Sequence, residues 1–486
     1  MYEVVELHFR QLIRSSRCCI YMGSAHLVGG IDIGSSSMKW TIYDYRARQV
    51  VDAGKKRYPY DLVKPDTIDV DGIFTMFREQ FQRMAAENVS AVGLSCMAPI
   101  MIAVDSNFES LLSIPYNSLA GSELFGEIGS FDFKKHTLNP LNVQMFPQKI
   151  LWGRNNLPDK MREAAHFVDL NGFLFNKMWR NGGGTPLQDI ATAAEWGLVD
   201  VPSGDWWSSL VEHLGIRGKL PKLVRPEYSR NVDGVSLCIG TVDTLVSSLG
   251  AIGTAENHIF ASNGSTLCAG FVSRRPVVTD RLYCDLYFSG RYLINGCNSQ
   301  YFTLLEFAKR VLDLDIDVDE IESSPTGLIF IPYLQGERCP IFDTDIRGGF
   351  YGFGPTTTRA DMATSIAHAL AYLSADMFNN LIEIADGAID EVVAGGGLTK
   401  KLIGSIASTI SGLNYRICNY DTGTLGAAIM ALKATGVIAD YPADASAFIH
   451  AEGTVLPATP SLKAHIGNYR KFIEIRERLK GIKPPG

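Results

Sequence analysis

The chain has 486 residues, too many for one ordinary core, so two domains are expected. Hydrophobic residues make up 46% and charged residues 20%, the balance of a globular protein, and no apolar run approaches the length of a membrane span. The formal net charge is −7 and no Lys/Arg run dominates, which argues against nucleic acid as a partner. Small anionic ligands stay open, because backbone amides and metals bind them without global positive charge.

Residues 1–27 precede the first clear strand and lack a continuous apolar stretch, so they read as an N-terminal extension and not as a signal peptide. VGGIDIG (28–34), MKWTIYDY (38–45) and QVVDAGKKRY (49–58) are three short β-type runs separated by turn residues. Over 71–87, Ile73, Phe77, Phe81 and Met84 recur at helical spacing and predict an amphipathic helix. VSAVGLSC (89–96) and IMIAVD (100–105) return to strand. Three meandering strands, a helix and another strand form an α/β layer pattern.

The second half repeats the theme. HIFASNGSTLCAGFVS (258–273) reads strand, polar Gly-containing turn, strand, and RYLINGC (291–297) and GLIFIPYL (327–334) are further strands. Residues 359–385 form the longest predicted helix, with Ile366, Leu370, Leu373, Met377 and Leu381 on one face. DEVVAGGG (390–397) is a strand running into three glycines, followed by a helix from about Thr399. YRIC (415–418) and the helix TGTLGAAIMALKATG (422–436) close this part. Each half therefore offers a hairpin with hydroxyls at its turn, a repeat visible in topology more than in residue identity. The seam falls near 250–257, and the basic amphipathic tail 465–483 reads as a surface helix. Nine cysteines are scattered without a C-x-x-C pair, which predicts reduced thiols and a cytoplasmic protein.

Four stretches could carry chemistry. Asp32 ends an apolar run and is followed by Gly34, Ser35, Ser36 and Ser37. Asp-x-Gly-Ser is ordinary turn chemistry. It is also how a chain closes its backbone on a phosphate, with hydroxyls donating and Asp32 holding Mg²⁺ through water. Lys39 would face the phosphates or point to solvent. The second hairpin turn, with Gly264, Ser265 and Thr266, offers the same donors without the carboxylate. Gly395, Gly396 and Gly397 follow a strand, either as a loop needing positive φ or as a flat backbone surface for a purine or its sugar. Asp243 opens a predicted helix, where Asp is a favoured cap, or a general base that accepts a hydroxyl proton as that oxygen attacks phosphorus.

In this order these pieces resemble the FGGY family of carbohydrate kinases, of the actin-like and sugar-kinase ATPase superfamily. The resemblance runs from about Val28 to Gly436 and is carried by GIDIGSSSMK, KILWGRNNLPD (149–159), GTVDT (240–244), NGST (263–266), GERCPIFDTDIRGGFYGF (336–353), AGGGLTKKLIGSIAS (394–408) and TGTLGAAIMALKATG. It implies an α/β fold of two RNase-H-like domains with ATP and a small sugar, sugar acid or polyol in the cleft between them. Residues 28–254 would form the sugar domain and 255–436 the ATP domain, with 437–486 a helical tail packed on the second. It implies Asp243 as general base and Asp32 beside Mg²⁺. Gly264 to Thr266 would lie around the phosphates, and Gly395 to Gly397 near the nucleoside. A homodimer is left open.

The sugar side departs from the family pattern. Many members carry Gln-Met-His or Gln-Arg-Glu after the strand at 89–96, where this chain has Cys96, Met97, Ala98 and Pro99. A Trp-x-Asp-x-Arg segment is replaced by IPYNSLAG (114–121), with Asn117 its obvious polar residue, and His368 stands where Glu is common. Met97, Ala98, Asn117 and Thr244 are the expected sugar-side positions. AVD (103–105) and GERCPIFD (336–343) lean toward gluconokinase-like or xylulokinase-like members. A catalytically weak regulator that binds sugar or nucleotide is the alternative. An ATPase driving a partner is a third reading, but the paired cysteines such activators carry are missing. Asp189 matches a segment near the sugar and equally suits a helix cap.

Overall fold

The structure, a computed structural model, describes residues 26–59, 67–179, 184–264, 266–396, 400–443, 448, 453–456 and 458–482. The first sheet begins with β1 (Leu27–Ile33), β2 (Ser37–Asp44) and β3 (Gln49–Arg57), an antiparallel meander. Helix α1 (Val70–Ala86) follows, started by the Asp69 side chain accepting from the Gly72 amide at 2.7 Å. Its buried face contains Ile73, Phe77, Phe81 and Met84, the stripe the sequence spacing predicts. The crossover through α1 brings β4 (Ala91–Cys96) back parallel to β1. The hairpin β5 (Ser229–Val232) and β6 (Val235–Cys238), then β7 (Thr241–Val242), complete the sheet on the far side of β4. Between β4 and β5 the chain builds a small sheet from Met101–Val104, Ser110–Ile114 and His166–Val168, together with helices Pro147–Asn156 and Leu170–Trp179.

After helix α2 (Asp243–Ile252) the pattern repeats. Strands β8 (His258–Asn263) and β9 (Leu267–Ser273) form the second hairpin, and β10 (Tyr283–Leu286) and β11 (Tyr292–Cys297) extend it. The 26-residue helix α3 (Arg359–Ile384) opens with a reciprocal capping box between Thr358 and Asp361. Strands β12 (Glu391–Gly395), β13 (Asn414–Ile417), helix α4 (Thr422–Ala434) and β14 (Thr454–Leu456) finish the second sheet. In space, β3-β2-β1-β4-β7 and β11-β9-β8-β12-β13 follow one plan: two antiparallel pairings, then two parallel ones. The repeat seen faintly in sequence is thus a repeat of sheet topology.

Helix α4 joins the two halves. Residues Thr422 to Leu432 are all buried, which a helix reaches only with protein on every side. It lies on β1 and β4 and against α2. Glycines make this approach possible: a Cβ on Gly30 would stand 1.8 Å from the Thr424 carbonyl oxygen, and one on Gly93 would stand 1.9 Å from that of Ala427. Gly250 and Gly426 serve the α2 contact in the same way, each 1.9 Å from a carbonyl oxygen of the facing helix.

Two expectations change. The tail helix α5 (Ala464–Leu479) is not merely a surface helix, because it buries His465, Phe472 and Arg476. Arg476 pairs with Asp376 on α3, the two side chains only 8% and 4% exposed. The expectation of reduced thiols is also corrected: Cys268 on β9 and Cys297 on β11 form a disulfide. They sit directly opposite each other in the antiparallel register, 4.2 Å apart at Cα, and the sequence separation of 29 hides that pairing. Cys96, Cys238, Cys284, Cys339 and Cys418 are free thiols, and Cys18 and Cys19 lie outside the described residues. Among the described residues no helix is long and apolar enough to cross a membrane.

Candidate active site

Parallel strands deliver side chains to the edge where they end, and β1, β4 and β7 end together. Asp32 stands one residue before the end of β1. Register sets Lys39 of β2 opposite it on one side and Ser95 of β4 on the other, and directly opposite residues share a face. Ser95 Oγ donates to Asp32 Oδ1 at 2.6 Å, and Lys39 Nζ lies 3.4 Å from Asp32 Oδ2. The face is the one covered by α4, where a Cβ on Gly423 would come within 3.0 Å of the carboxylate carbon, so glycine leaves room for the acid at the helix N-terminus. Asp421, the α4 cap, accepts from the Thr424 amide at 2.9 Å and takes Lys39 Nζ at 3.0 Å. Lys39 therefore bridges Asp32 of the first sheet and Asp421 ahead of α4, and does not simply point to solvent. Burial pushes the Asp32 carboxyl up, opposed by Lys39 and reinforced by Asp421. Burial works to lower the Lys39 ammonium, and the two carboxylates outweigh it.

Asp243 is the first residue of α2, and Val242 occupies the cap position. The bend before it needs glycine: Gly240 has φ +72° and a Cβ there would meet the Leu94 carbonyl oxygen at 2.1 Å. Val242 pairs with Cys96, so Asp243 emerges just beyond the end of β4. Its carboxyl is pushed up to about 7, first by burial and then by repulsion from Asp32. Thr244 Oγ1 lies 3.4 Å from Asp243 Oδ1.

The two hairpin turns correspond. The Gly34 amide donates to the Ser37 carbonyl at 3.1 Å, and the Gly264 amide to the Thr266 carbonyl at 3.0 Å. Ser35 and Ser36 are exposed and Ser37 is buried. Neither turn glycine has positive φ, and a Cβ on either would meet nothing closer than 3.6 Å. The protein's own packing does not demand glycine at these positions. Parallel pairing sets Ser262 beside Gly395, so β8 and β12 end together in the second half as β1 and β4 do in the first. Gly396 has φ +97°, and a Cβ there would lie 2.5 Å from the Asn263 carbonyl oxygen. Ser265 and Gly397 lie outside the described residues.

The sugar-side expectations fare differently. Met97 is 3% exposed and packs in the core of the first domain, its amide tied to the Ile33 carbonyl at 2.8 Å. Ala98 is partly buried, Asn117 is exposed on a turn, and Thr244 is partly buried beside Asp243. Asp189 caps helix Ile190–Glu195, accepting from the Thr192 amide at 2.9 Å. His368 is buried at the tail, with Nε2 2.9 Å from the Glu322 carbonyl oxygen.

Polar groups that single stretches of sequence did not reveal stand nearby. Tyr116, next to Asn117, feels both Asp243 and Arg338, and burial and Asp243 raise its phenol. Its turn is fastened by Lys149, which is fully buried and donates to the Pro115 and Gln144 carbonyls at 2.9 and 3.1 Å. Burial pulls that ammonium down to about 7. Glu195 ends the Asp189-capped helix against β10, where burial and then Asp285 and Asp243 push its carboxyl well up. Asp285 is held by Asn295 at 2.7 Å and Asn139 at 3.2 Å, and its carboxyl lies at about 6 through burial. Arg338 donates to the Asn298 carbonyl at 2.7 Å beside the buried Glu337. These residues come from five separate segments, so their grouping is a product of the fold. Asp421, an Asp directly before a Thr-Gly-Thr helix start, carried the local signal of a cap, and Arg338 lies in the Gly-Glu-Arg start of the 336–353 stretch.

The donor set has a bearing on metals. Among the described residues no group of three or more His, Cys, Asp or Glu could hold an ion. Mg²⁺ is commonly held by phosphates and water with one or two carboxylates. Asp32 and Asp243, whose charges oppose each other, are the carboxylates available for it.

Comparison with known proteins agrees with the fold. Residues 27–232 match the model of the FGGY family of carbohydrate kinases, N-terminal domain, and residues 303–435 match that of its C-terminal domain. A gluconokinase of Bacillus subtilis is 23% identical over 463 residues, covering 85% of this chain and 88% of its own. The structure of ligand-bound xylulose kinase from Lactobacillus acidophilus superposes with TM-score 0.83 at 21% identity, over 94% of this chain and 99% of that one. Plasmodium falciparum glycerol kinase, solved with ADP, gives TM-score 0.80 at 18% identity, over 94% and 99%.

Proposed function

The chain belongs to the FGGY family of carbohydrate kinases, and from that premise we propose that it transfers the γ-phosphoryl group of ATP to a hydroxyl of a small sugar, sugar acid or polyol, with Asp243 as general base. The observation that carries the assignment is the meeting of Asp32, Lys39 and Asp243 where β1, β4 and β7 end, with the Asp243 carboxyl raised to about 7. A base of that pKa is about half ionised at neutral pH and basic enough to take a developing hydroxyl proton.

In this reading residues 28–254 form the sugar-side domain and 255–436 the nucleotide-side domain. Gly34 with Ser35, Ser36 and Ser37, and Gly264 with Ser265 and Thr266, surround the phosphates. The turn glycines support this, since the protein's packing does not require them and their bareness leaves the backbone amides approachable. Gly395, Gly396 and Gly397 lie toward the nucleoside. Lys39 faces the transferred group, and Asp32 would hold Mg²⁺. Mg²⁺ bound there would neutralise phosphate charge. The protein's own work is to position the hydroxyl, raise the basicity of Asp243 and exclude water as a competing acceptor.

On the sugar side Tyr116, Glu195, Asp285 and Arg338 supply the polar groups that Met97 and Ala98 do not, with Asn117 and Thr244 at the margin. Gluconokinase-like and xylulokinase-like substrates, an aldonate or a ketose, are the two classes to test first. A catalytically weak, regulatory member is disfavoured by this set of polar groups around Asp243. The deciding experiment is coupled ADP release with Mg·ATP across ketoses, aldonates and polyols, beside Asp243→Asn. Sugar-dependent turnover lost in the variant supports the assignment. Turnover unchanged in the variant removes Asp243 as the base, and ATP binding without turnover on any sugar restores the regulatory reading.

A further inference from the structure

The Cys268–Cys297 disulfide has no part in the phosphoryl-transfer scheme, yet it sits beside the Gly264–Thr266 turn. Cys268 lies two residues beyond Thr266, and its sulfur is 4.0 Å from Thr266 Oγ1. Cys297 is followed by Asn298 and Ser299. The Leu267 amide donates to Asn298 Oδ1 at 2.9 Å, and the Asn298 amide returns a bond to the Leu267 carbonyl at 3.0 Å. Arg338 donates from its guanidinium to the Asn298 carbonyl at 2.7 Å and from its amide to Ser299 Oγ at 3.0 Å. The crosslink therefore fixes the spacing between the Gly264–Thr266 turn and the Glu337–Arg338 segment, and both half-cystines keep partial exposure.

We propose that Cys268 and Cys297 are a redox-sensitive crosslink, opened by a dithiol reductant, and that opening it weakens nucleotide binding at the adjacent turn. The proposal rests on reading that turn as phosphate-binding. A thiolate of the reductant attacks one of the two sulfurs, and the S–S bond breaks as a mixed disulfide forms. The released cysteine sulfur takes a proton from solvent. The second thiol of the reductant then displaces the remaining cysteine. The protein pair gains two electrons and two protons, and the dithiol becomes a disulfide. The neighbouring Cys339 does not supply the attack: its amide donates to the Cys297 carbonyl at 3.4 Å, but its side chain is fully buried and burial pushes its thiol up to about 12. In a reducing compartment a crosslink of this kind serves as a sensor and not as a staple.

The test uses the full chain purified without reductant. Cysteines are alkylated and mapped by mass spectrometry before and after dithiothreitol. Binding of a non-hydrolysable ATP analogue with Mg²⁺ is measured calorimetrically in both states and in a Cys268→Ser/Cys297→Ser double variant. The expected result is a linked 268/297 peptide pair that separates on reduction, with Kd rising at least threefold. The double variant then matches the reduced wild type and ignores dithiothreitol. If the double variant does not fold, the two wild-type states decide the matter. Alkylation of both cysteines before reduction, equal Kd in the two states, or a double variant that still responds to dithiothreitol each overturns the switch. Binding of the analogue in neither state overturns the phosphate assignment of the turn and the switch with it, whereas equal binding in both removes the switch alone.

Discussion

If Asp243 is the base, the acid limb of kcat/KM reports its ionisation in the free enzyme. The carboxyl lies at about 7, through burial first and repulsion from Asp32 second. Only the ionised form accepts a proton, so activity is lost as pH falls through that value. For a single group near 7, roughly a tenth is ionised at pH 6 and about nine-tenths at pH 8, a fall of about tenfold between them. The assay is initial-rate ADP release at subsaturating sugar and nucleotide, over pH 5 to 9 at constant ionic strength. Asp243→Asn should lower turnover by roughly 10²–10⁴-fold and flatten the limb. Asp32→Asn removes the like charge that raises Asp243, so whatever activity remains should show its limb at lower pH. A wild-type profile flat from pH 6 to 8, or an Asp32→Asn limb that moves upward, would refute the electrostatic account of the site.

Three other outcomes follow from the packing. Gly93→Ala places a methyl 1.9 Å from the Ala427 carbonyl oxygen and should cost about 1–3 kcal/mol or more in urea unfolding, while Gly126→Ala, with nothing within 4 Å, should stay within about 0.5 kcal/mol. Gly34→Ala and Gly264→Ala meet no protein atom closer than 3.6 Å, so thermal melts should barely move while KM for ATP rises several-fold; unchanged KM would mean that the phosphates lie elsewhere. Arg476→Met leaves Asp376 buried without its cation and should destabilise by about 3–5 kcal/mol, with Asp376→Asn in the same background recovering part of the loss. Equal stability of the two variants would deny that the unpaired carboxylate is the source of the penalty.

The parts of the site built from local pattern were legible in the sequence. The β1–β2 hairpin brings Asp32 and Lys39 opposite each other through a period-two register that the apolar alternation around the turn already sets. The buried stripe of α1 follows from helical spacing in the same way. What stayed hidden depends on contacts between distant segments. Glu195 and Asp285 look like ordinary surface charges until helix Ile190–Glu195 is packed on β10. Cys268 and Cys297 meet only because β11 pairs directly with β9, while β10, which comes between them in the chain, lies on the outer side of β11. Met97 directly follows β4, and its apolar side chain packs in the core. The tail helix packs through Phe472 and Arg476, whose partners on α3 lie far back along the chain.

Helix α4 also bears on how the chain is made. The face of the first sheet around Gly30 and Gly93 is covered by a helix that begins only at Thr422. During synthesis that face emerges from the ribosome long before its cover exists. The early half must therefore wait, with apolar surface exposed, until most of the second half has followed, and such waiting is when chains aggregate or recruit chaperones. The two halves repeat one plan but do not mature as independent units. Seating α4 on the first sheet also brings the cap Asp421 to Lys39 beside Asp32.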